Sequence, residues 1–155
     1  MPLAGLELRG ADFTEANLGG ANLTATKLNY QNKTPEAPGQ PEIPAANTFL
    51  QGVNLCRADL TAADLRGAYL VNANLTGADL TSTKLQGAAL NGSDLSGATM
   101  PADASFLDRI YYDDNTIWPE GFQPPPSNAG PKIEFLQNPI IKELYGDVQR
   151  PTCNS

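Results

Sequence analysis

Along most of this chain a leucine recurs at every fifth residue. Reading from position 3 gives Leu3, Leu8, Phe13, Leu18, Leu23 and Leu28. Reading from position 50 gives Leu50, Leu55, Leu60, Leu65, Leu70, Leu75, Leu80, Leu85, Leu90, Leu95 and Met100. A period of five fits neither regular default, because side chains realign every 3.6 residues on a helix and every two on a strand. It fits a short extended segment followed by a bend. The residue two places before each central Leu is small, as at Ala11, Ala58, Ala68 and Ala78, and the residue between is often Asp or Asn, as at Asp12, Asn17, Asn22, Asp59 and Asp79. On an extended segment the small residue and the Leu point the same way, and the Asp or Asn points the other way. If each bend is near a right angle, four units close one coil of twenty residues. Coils then stack at strand spacing, with Ala and Leu inside. One coil cannot cover its own leucines, so stability requires neighbours above and below.

The units Ala58-Asp59-Leu60-Thr61-Ala62, Ala73-Asn74-Leu75-Thr76-Gly77 and Ala78-Asp79-Leu80 resemble the pentapeptide-repeat family. The resemblance covers residues 3–28 and 48–100 and implies an all-β fold, a right-handed quadrilateral β-helix. The stretch from Tyr111 to Phe122 looks like the ends of many cyanobacterial members, which implies a place in a photosynthetic or regulatory assembly.

The repeat divides the chain. Residues 1–28 are read as the first solenoid units and 48–106 as the main stack. Between them, residues 29–47 shift the frame and carry Pro35, Pro38, Pro41 and Pro44. Proline cannot join a ladder, so this segment is read as a loop leaving one corner, either a binding loop or a tolerated insertion. Residues 107–122 are read as a cap. Phe106, Ile110, Ile117, Trp118 and Phe122 supply apolar bulk for the open end. Residues 123–155 are read as a linker and tail with a short helix, Asn138 as its N-cap and Pro139 in its first position. Its apolar face, Ile140, Ile141, Leu144 and Tyr145, packs on the solenoid end or docks on a partner.

The chain has no histidine, which removes His-dependent nucleophile systems and His metal sites. No enzyme activity, cofactor, metal or small-molecule ligand is expected. The formal net charge of −7 offers no footprint for nucleic-acid phosphates, and no apolar run is long enough to span a membrane. The expected partner is another protein or protein assembly, neither nucleic acid nor membrane. The alternative comes from the resemblance: some family members are acidic duplex mimics that act on DNA gyrase. Across residues 3–28 and 49–103 there are eight acids against five bases, a net of only −3, and about four coils span roughly 20 Å. Both disfavour mimicry.

Two middle positions depart from the Asp/Asn habit. Phe49 and Tyr69 lie twenty residues apart, hence on one wall. They are read as exposed anchors for a partner, against the reading that the proline-rich loop covers them. Cys56 directly follows a central Leu and is expected to face outward, where Cys153 reaches it if the tail returns along that wall. No disulfide is expected, since the N-terminus shows no signal-peptide pattern and the expected location is the cytoplasm. A trimmed signal would make it the thylakoid lumen or periplasm instead.

Overall fold

In the computed structural model, parallel bridges between middle residues sort the chain into four columns. The structure describes residues 3–8, 13, 16–28, 48–103, 110–124 and 148–153. Wall 1 runs Phe49, Tyr69, Ala89, Tyr111; wall 2 runs Asn17, Asn54, Asn74, Asp94, Ile117. Wall 3 runs Asn22, Asp59, Asp79, Thr99, and wall 4 runs Glu7, Lys27, Asp64, Lys84. A chain that visits four columns in order and returns every twenty residues is a four-sided solenoid.

The corners repeat as regularly as the walls. The N–H three residues after each central Leu donates to that leucine's carbonyl, as in Ala58 N to Leu55 O at 3.0 Å and Ala63 N to Leu60 O at 2.9 Å. The residue before that donor has positive φ: Gly52 at 60°, Arg57 at 56°, Ala62 at 57°, Gly77 at 66°. A left-handed third residue in a hydrogen-bonded four-residue turn is the type II pattern. Corner amides also bond to the next coil, as in Gly52 N to Val71 O at 2.9 Å and Arg57 N to Thr76 O at 2.9 Å. Backbone polar groups at the bends are thereby paired rather than stranded.

The interior follows the sequence pattern. Leu60, Leu65, Leu70 and Leu75 are fully buried, together with Ala58, Ala63, Ala68 and Ala73. Where a hydroxyl takes the small position, it bonds the carbonyl of a central Leu in the coil below: Thr26 Oγ1 to Leu3 O at 2.9 Å, Thr83 Oγ1 to Leu60 O at 2.8 Å, Ser93 Oγ to Leu70 O at 3.0 Å. A small residue with a short polar reach is tolerated inside because a partner lies within that reach.

Two irregularities interrupt the count. Asn54 pairs with Asn74, twenty residues on, but Asn17 pairs with Asn54 and Lys27 with Asp64, each thirty-seven residues on. Between Leu28, which follows wall 4, and Thr48, which precedes wall 1, the register is seventeen residues longer than in a plain coil. The proline-rich segment 29–47 itself lies outside the described residues, as does Phe106. At the far end Ile110 and Thr116 take small positions, and Tyr112 and Trp118 stand where a central Leu would, on either side of the bridged Tyr111 and Ile117. Tyr112 and Trp118 meet edge to face, centroids 5.2 Å apart, and Trp118 packs on Phe122 at 5.1 Å. Burial pushes the Tyr112 hydroxyl above its ordinary value. Ile117, expected among the cap's interior residues, instead stands above Asp94 on wall 2 and is 40% exposed. The repeat explains it, because Thr116-Ile117-Trp118 is one more unit and its middle residue points out.

Candidate functional site

The Asp and Asn side chains at the middle positions point out of the coil, and they also fold back on it. Each accepts the backbone N–H two residues on: Asn17 from Gly19 at 3.1 Å, Asn54 from Cys56 at 3.1 Å, Asp59 from Thr61 at 3.0 Å, Asp79 from Thr81 at 2.9 Å. This local bond is the one short Asx side chains form at turns. It explains why Asp59 and Asp64 are half-buried rather than fully exposed as their direction alone suggests.

Wall 4 carries alternating charge. Lys27 pairs with Glu7, and Arg66 Nη2 lies 2.7 Å from Asp64 Oδ2. Burial alone would raise the Asp64 carboxyl. The Arg66 side-chain and backbone hydrogen bonds, with the charges of Arg66 and Lys84, outweigh it and hold the group below the ordinary value. The Asp59 carboxyl is also lowered, chiefly by the Thr61 hydroxyl and then the Thr61 N–H. A carboxyl whose folded-state value lies below its unfolded one stabilises above the unfolded value and loses that contribution as pH falls through the folded one. Stability is therefore expected to be flat from neutral pH down to about 4, the unfolded carboxylate value, and to decline below it. Asp64→Asn should shallow that acid limb, as read by urea melts between about pH 7 and about pH 2.5.

Phe49 and Tyr69 are adjacent on wall 1, their rings stacked with centroids 5.6 Å apart and planes 11° from parallel. The expectation that both stand exposed is corrected for Tyr69, which is 2% exposed, and Ala89 above it is fully buried. The repeat sets which way a side chain points, and not whether it is exposed. Phe49 is partly exposed. Ile140, Ile141, Leu144 and Tyr145 lie outside the described residues.

The second correction concerns the cysteines. Cys56 and Cys153 form a disulfide, Cα atoms 5.5 Å apart across 97 residues. Cys56 sits in the corner that follows wall 2, and the tail does return along that wall. Residues 148–153 lie across it, tied by side chains of the solenoid. Asn72 Nδ2 donates to Val148 O at 2.7 Å and Asn74 Nδ2 to Pro151 O at 3.1 Å, while Arg150 Nη1 donates to Gly92 O at 3.1 Å. Asn74, otherwise an outward wall residue, is 2% exposed. Beside the tail, the corner residues 71–72 and 91–92 and the 113–115 turn enclose an open groove of about 700 Å³. Asp113 closes its upper side, accepting from Gly92 N at 2.9 Å and Asn115 N at 3.1 Å. The repeat marks Asn72 and Asn74 only as corner and wall residues; the signal for their further role is the second cysteine near the chain's end. Among the described residues there is no metal-binding cluster and no helix long and apolar enough to cross a membrane.

Against known proteins, the family model for pentapeptide repeats matches residues 3–29, 45–77 and 58–97, in eight copies. Those spans take in more than half of the chain. This chain belongs to the pentapeptide-repeat family. No curated protein matches the sequence. Among solved structures, a pentapeptide repeat protein of the Arabidopsis thaliana thylakoid lumen superposes with a TM-score of 0.52 at 20% identity, covering 98% of this chain and 84% of that one. HetL, a pentapeptide repeat protein involved in heterocyst differentiation regulation in the cyanobacterium Nostoc sp. PCC 7120, gives 0.49 at 26% identity, covering 78% of this chain and 56% of its own. Rfr23 of the cyanobacterium Cyanothece 51142 gives 0.32 at 30%, covering 69% and 63%. The chain thus spans less than two thirds of the latter two. The fold shared with the Arabidopsis protein is the right-handed quadrilateral β-helix.

Proposed function

We propose that this pentapeptide-repeat protein is a non-enzymatic binding module for another protein, serving as a scaffold piece within a larger, photosynthetic or regulatory, assembly. One observation carries the reading. The solenoid wall holds a stretch of polypeptide without helix or turn, residues 148–153, through side-chain amides that donate to main-chain carbonyls. A wall that binds a peptide strand in cis has the chemistry to bind one from a partner. Rigid coils add to this, since ordered side chains lose little entropy on association. Family members are in general structural or interaction modules. The disulfide favours an oxidising compartment, thylakoid lumen or periplasm, over the cytoplasm.

The DNA-mimic alternative needs a continuous acidic face. Wall 4 alternates Glu7, Lys27, Asp64, Lys84, and wall 2 has three amides before its first acid at Asp94. A gyrase supercoiling assay separates the readings: no effect is expected at equimolar protein, and stoichiometric inhibition would favour the mimic.

The partner surface takes in Phe49, the accessible half of the aromatic pair, with Ile140, Ile141, Leu144 and Tyr145 as a second contact. Phe49→Asn restores the usual repeat residue. It should leave the melting temperature nearly unchanged while weakening capture of the partner from its source by about tenfold, or about 1.4 kcal/mol. Full retention by a folded variant would place the surface elsewhere. Tyr69→Asn should instead lower stability, because it puts an amide where solvent does not reach.

A further inference from the structure

We propose that wall 2 is a docking site for an extended, basic segment of a partner protein, that the chain's own tail occupies this site in cis, and that the Cys56–Cys153 bridge holds the occupant in place. The inference rests on the binding-module reading and adds to the Phe49 surface on wall 1 a further contact, on wall 2, with its partner chemistry.

The tail displays the recognition mode. Its carbonyls at Val148 and Pro151, three residues apart, receive the side-chain amides of Asn72 and Asn74, which sit on adjacent corner and wall positions. Its one charged side chain among residues 148–153, Arg150, reaches the Gly92 carbonyl in the groove that Asp113 and Asp114 also line. A segment with carbonyls at these two places and an Arg or Lys between them makes the same contacts. Such side-chain-to-main-chain pairing reads an extended backbone with little regard to its other side chains, as strand-addition modes do.

The cis occupant fits imperfectly. Asn91 Oδ1, in the same groove, is buried and has no hydrogen-bond partner among the described residues. A buried acceptor left unmade is a standing cost, and an incoming segment with a donor at that place removes it. The tail is held against such a competitor by proximity, because a tethered segment acts at high effective concentration. The disulfide makes that advantage permanent while it lasts.

Release needs a dithiol reductant, a small molecule or a protein. Its thiolate attacks Cys153 Sγ, since Cys153 is partly exposed while Cys56 is 5% exposed. The Cys56–Cys153 bond breaks, and the Cys56 thiolate leaves and takes up a proton. The reductant's second thiol then displaces Cys153, which is protonated in turn. Two electrons pass to the protein, and the reductant ends as a disulfide.

The test uses the full-length chain with Cys153→Ser, which leaves Cys56 as the sole thiol. The probe is a synthetic peptide with the sequence of residues 148–153, its cysteine activated as a mixed disulfide with thionitrobenzoate. A scrambled peptide of the same composition is the control. Attack by Cys56 forms the protein–peptide disulfide and expels coloured thionitrobenzoate. The native order should couple at least about tenfold faster than the scrambled one, a difference of about 1.4 kcal/mol. Adding Asn72→Ala and Asn74→Ala should abolish the preference. The serine tail competes with both peptides alike, so the ratio survives it. Equal rates for the two peptides overturn the site. Wild-type protein supplies a check free of substitutions. Reduction with a dithiol should speed hydrogen exchange at 148–153 at least about tenfold, while Leu60, Leu65 and Leu70 stay protected. Unchanged tail exchange, or loss of the solenoid with the tail, overturns the release. Equal capture of a partner by oxidised and reduced protein removes wall 2 as its site and leaves the binding-module reading standing.

Discussion

Replacing Leu70 with alanine is expected to lower the unfolding free energy by about 2–5 kcal/mol. Leu70 is fully buried in mid-stack, with Leu50 and Leu90, also fully buried, in the coils on either side. In a globular core, neighbours relax part-way into the space a deleted side chain leaves. Here the coils are held apart by ladder bonds on both sides of the site, Leu50 N to Tyr69 O at 2.8 Å and Leu70 N to Ala89 O at 2.8 Å. The gap cannot close without breaking them, so the cost should fall toward the upper part of that range. Leu6→Ala gives the contrast. Leu6 is 44% exposed near the first coil, and its removal should change stability by about 0.5 kcal/mol or less. Urea melts of the two variants measure the difference. A loss below about 1 kcal/mol for Leu70→Ala would mean that the coils slide to fill the space.

Gly92→Ala should be nearly as damaging, and Gly97→Ala much less so. Both glycines hold the left-handed turn position at almost the same φ, +67° and +66°. An L residue there costs on the order of 1–2 kcal/mol. The difference lies in the surroundings. A Cβ on Gly97 meets nothing within 4 Å, whereas one on Gly92 would overlap Asn72 Oδ1. That oxygen ends a short side chain whose own Nδ2 is engaged by Val148 O, so moving it also gives up a bond to the tail. Gly92→Ala should therefore cost about 2–4 kcal/mol, the backbone strain plus a lost half-buried hydrogen bond. It should also loosen residues 148–153, visible as faster hydrogen exchange there. Equal melting of the two variants would show that Asn72 turns aside freely. The solenoid tolerates a Cβ at other corners, such as Ala62 at φ 57° and Ala25 at 54°, which is why surroundings, and not φ alone, decide the effect.

The five-residue repeat by itself makes the solenoid legible. A leucine every five residues with a small residue two before it leaves one economical arrangement, because only a bent, stacked coil brings all of those side chains to one interior. The burial of Leu60 through Leu75 follows directly from that period, and the four-column register follows once each bend is near a right angle. So does the outward direction of Phe49, Tyr69 and Cys56. Even Ile117 obeys it, once Thr116-Ile117-Trp118 is read as a unit.

What the period cannot carry is whatever lies against a wall from outside the repeat. Tyr69 points outward and is nonetheless 2% exposed, and Asn74 points outward and is covered by the tail. The bridge between Cys56 and Cys153 spans 97 residues, a separation across which local spacing says nothing about distance. Direction along a coil is a local property, dictated by backbone alternation and turns and so written in the five-residue pattern. Contact between distant segments depends on where the chain returns, and in a fold whose coils touch only their neighbours no repeat position encodes that return. The solenoid was therefore decided by the sequence, and the strapped wall, with the site it forms, by the tertiary structure.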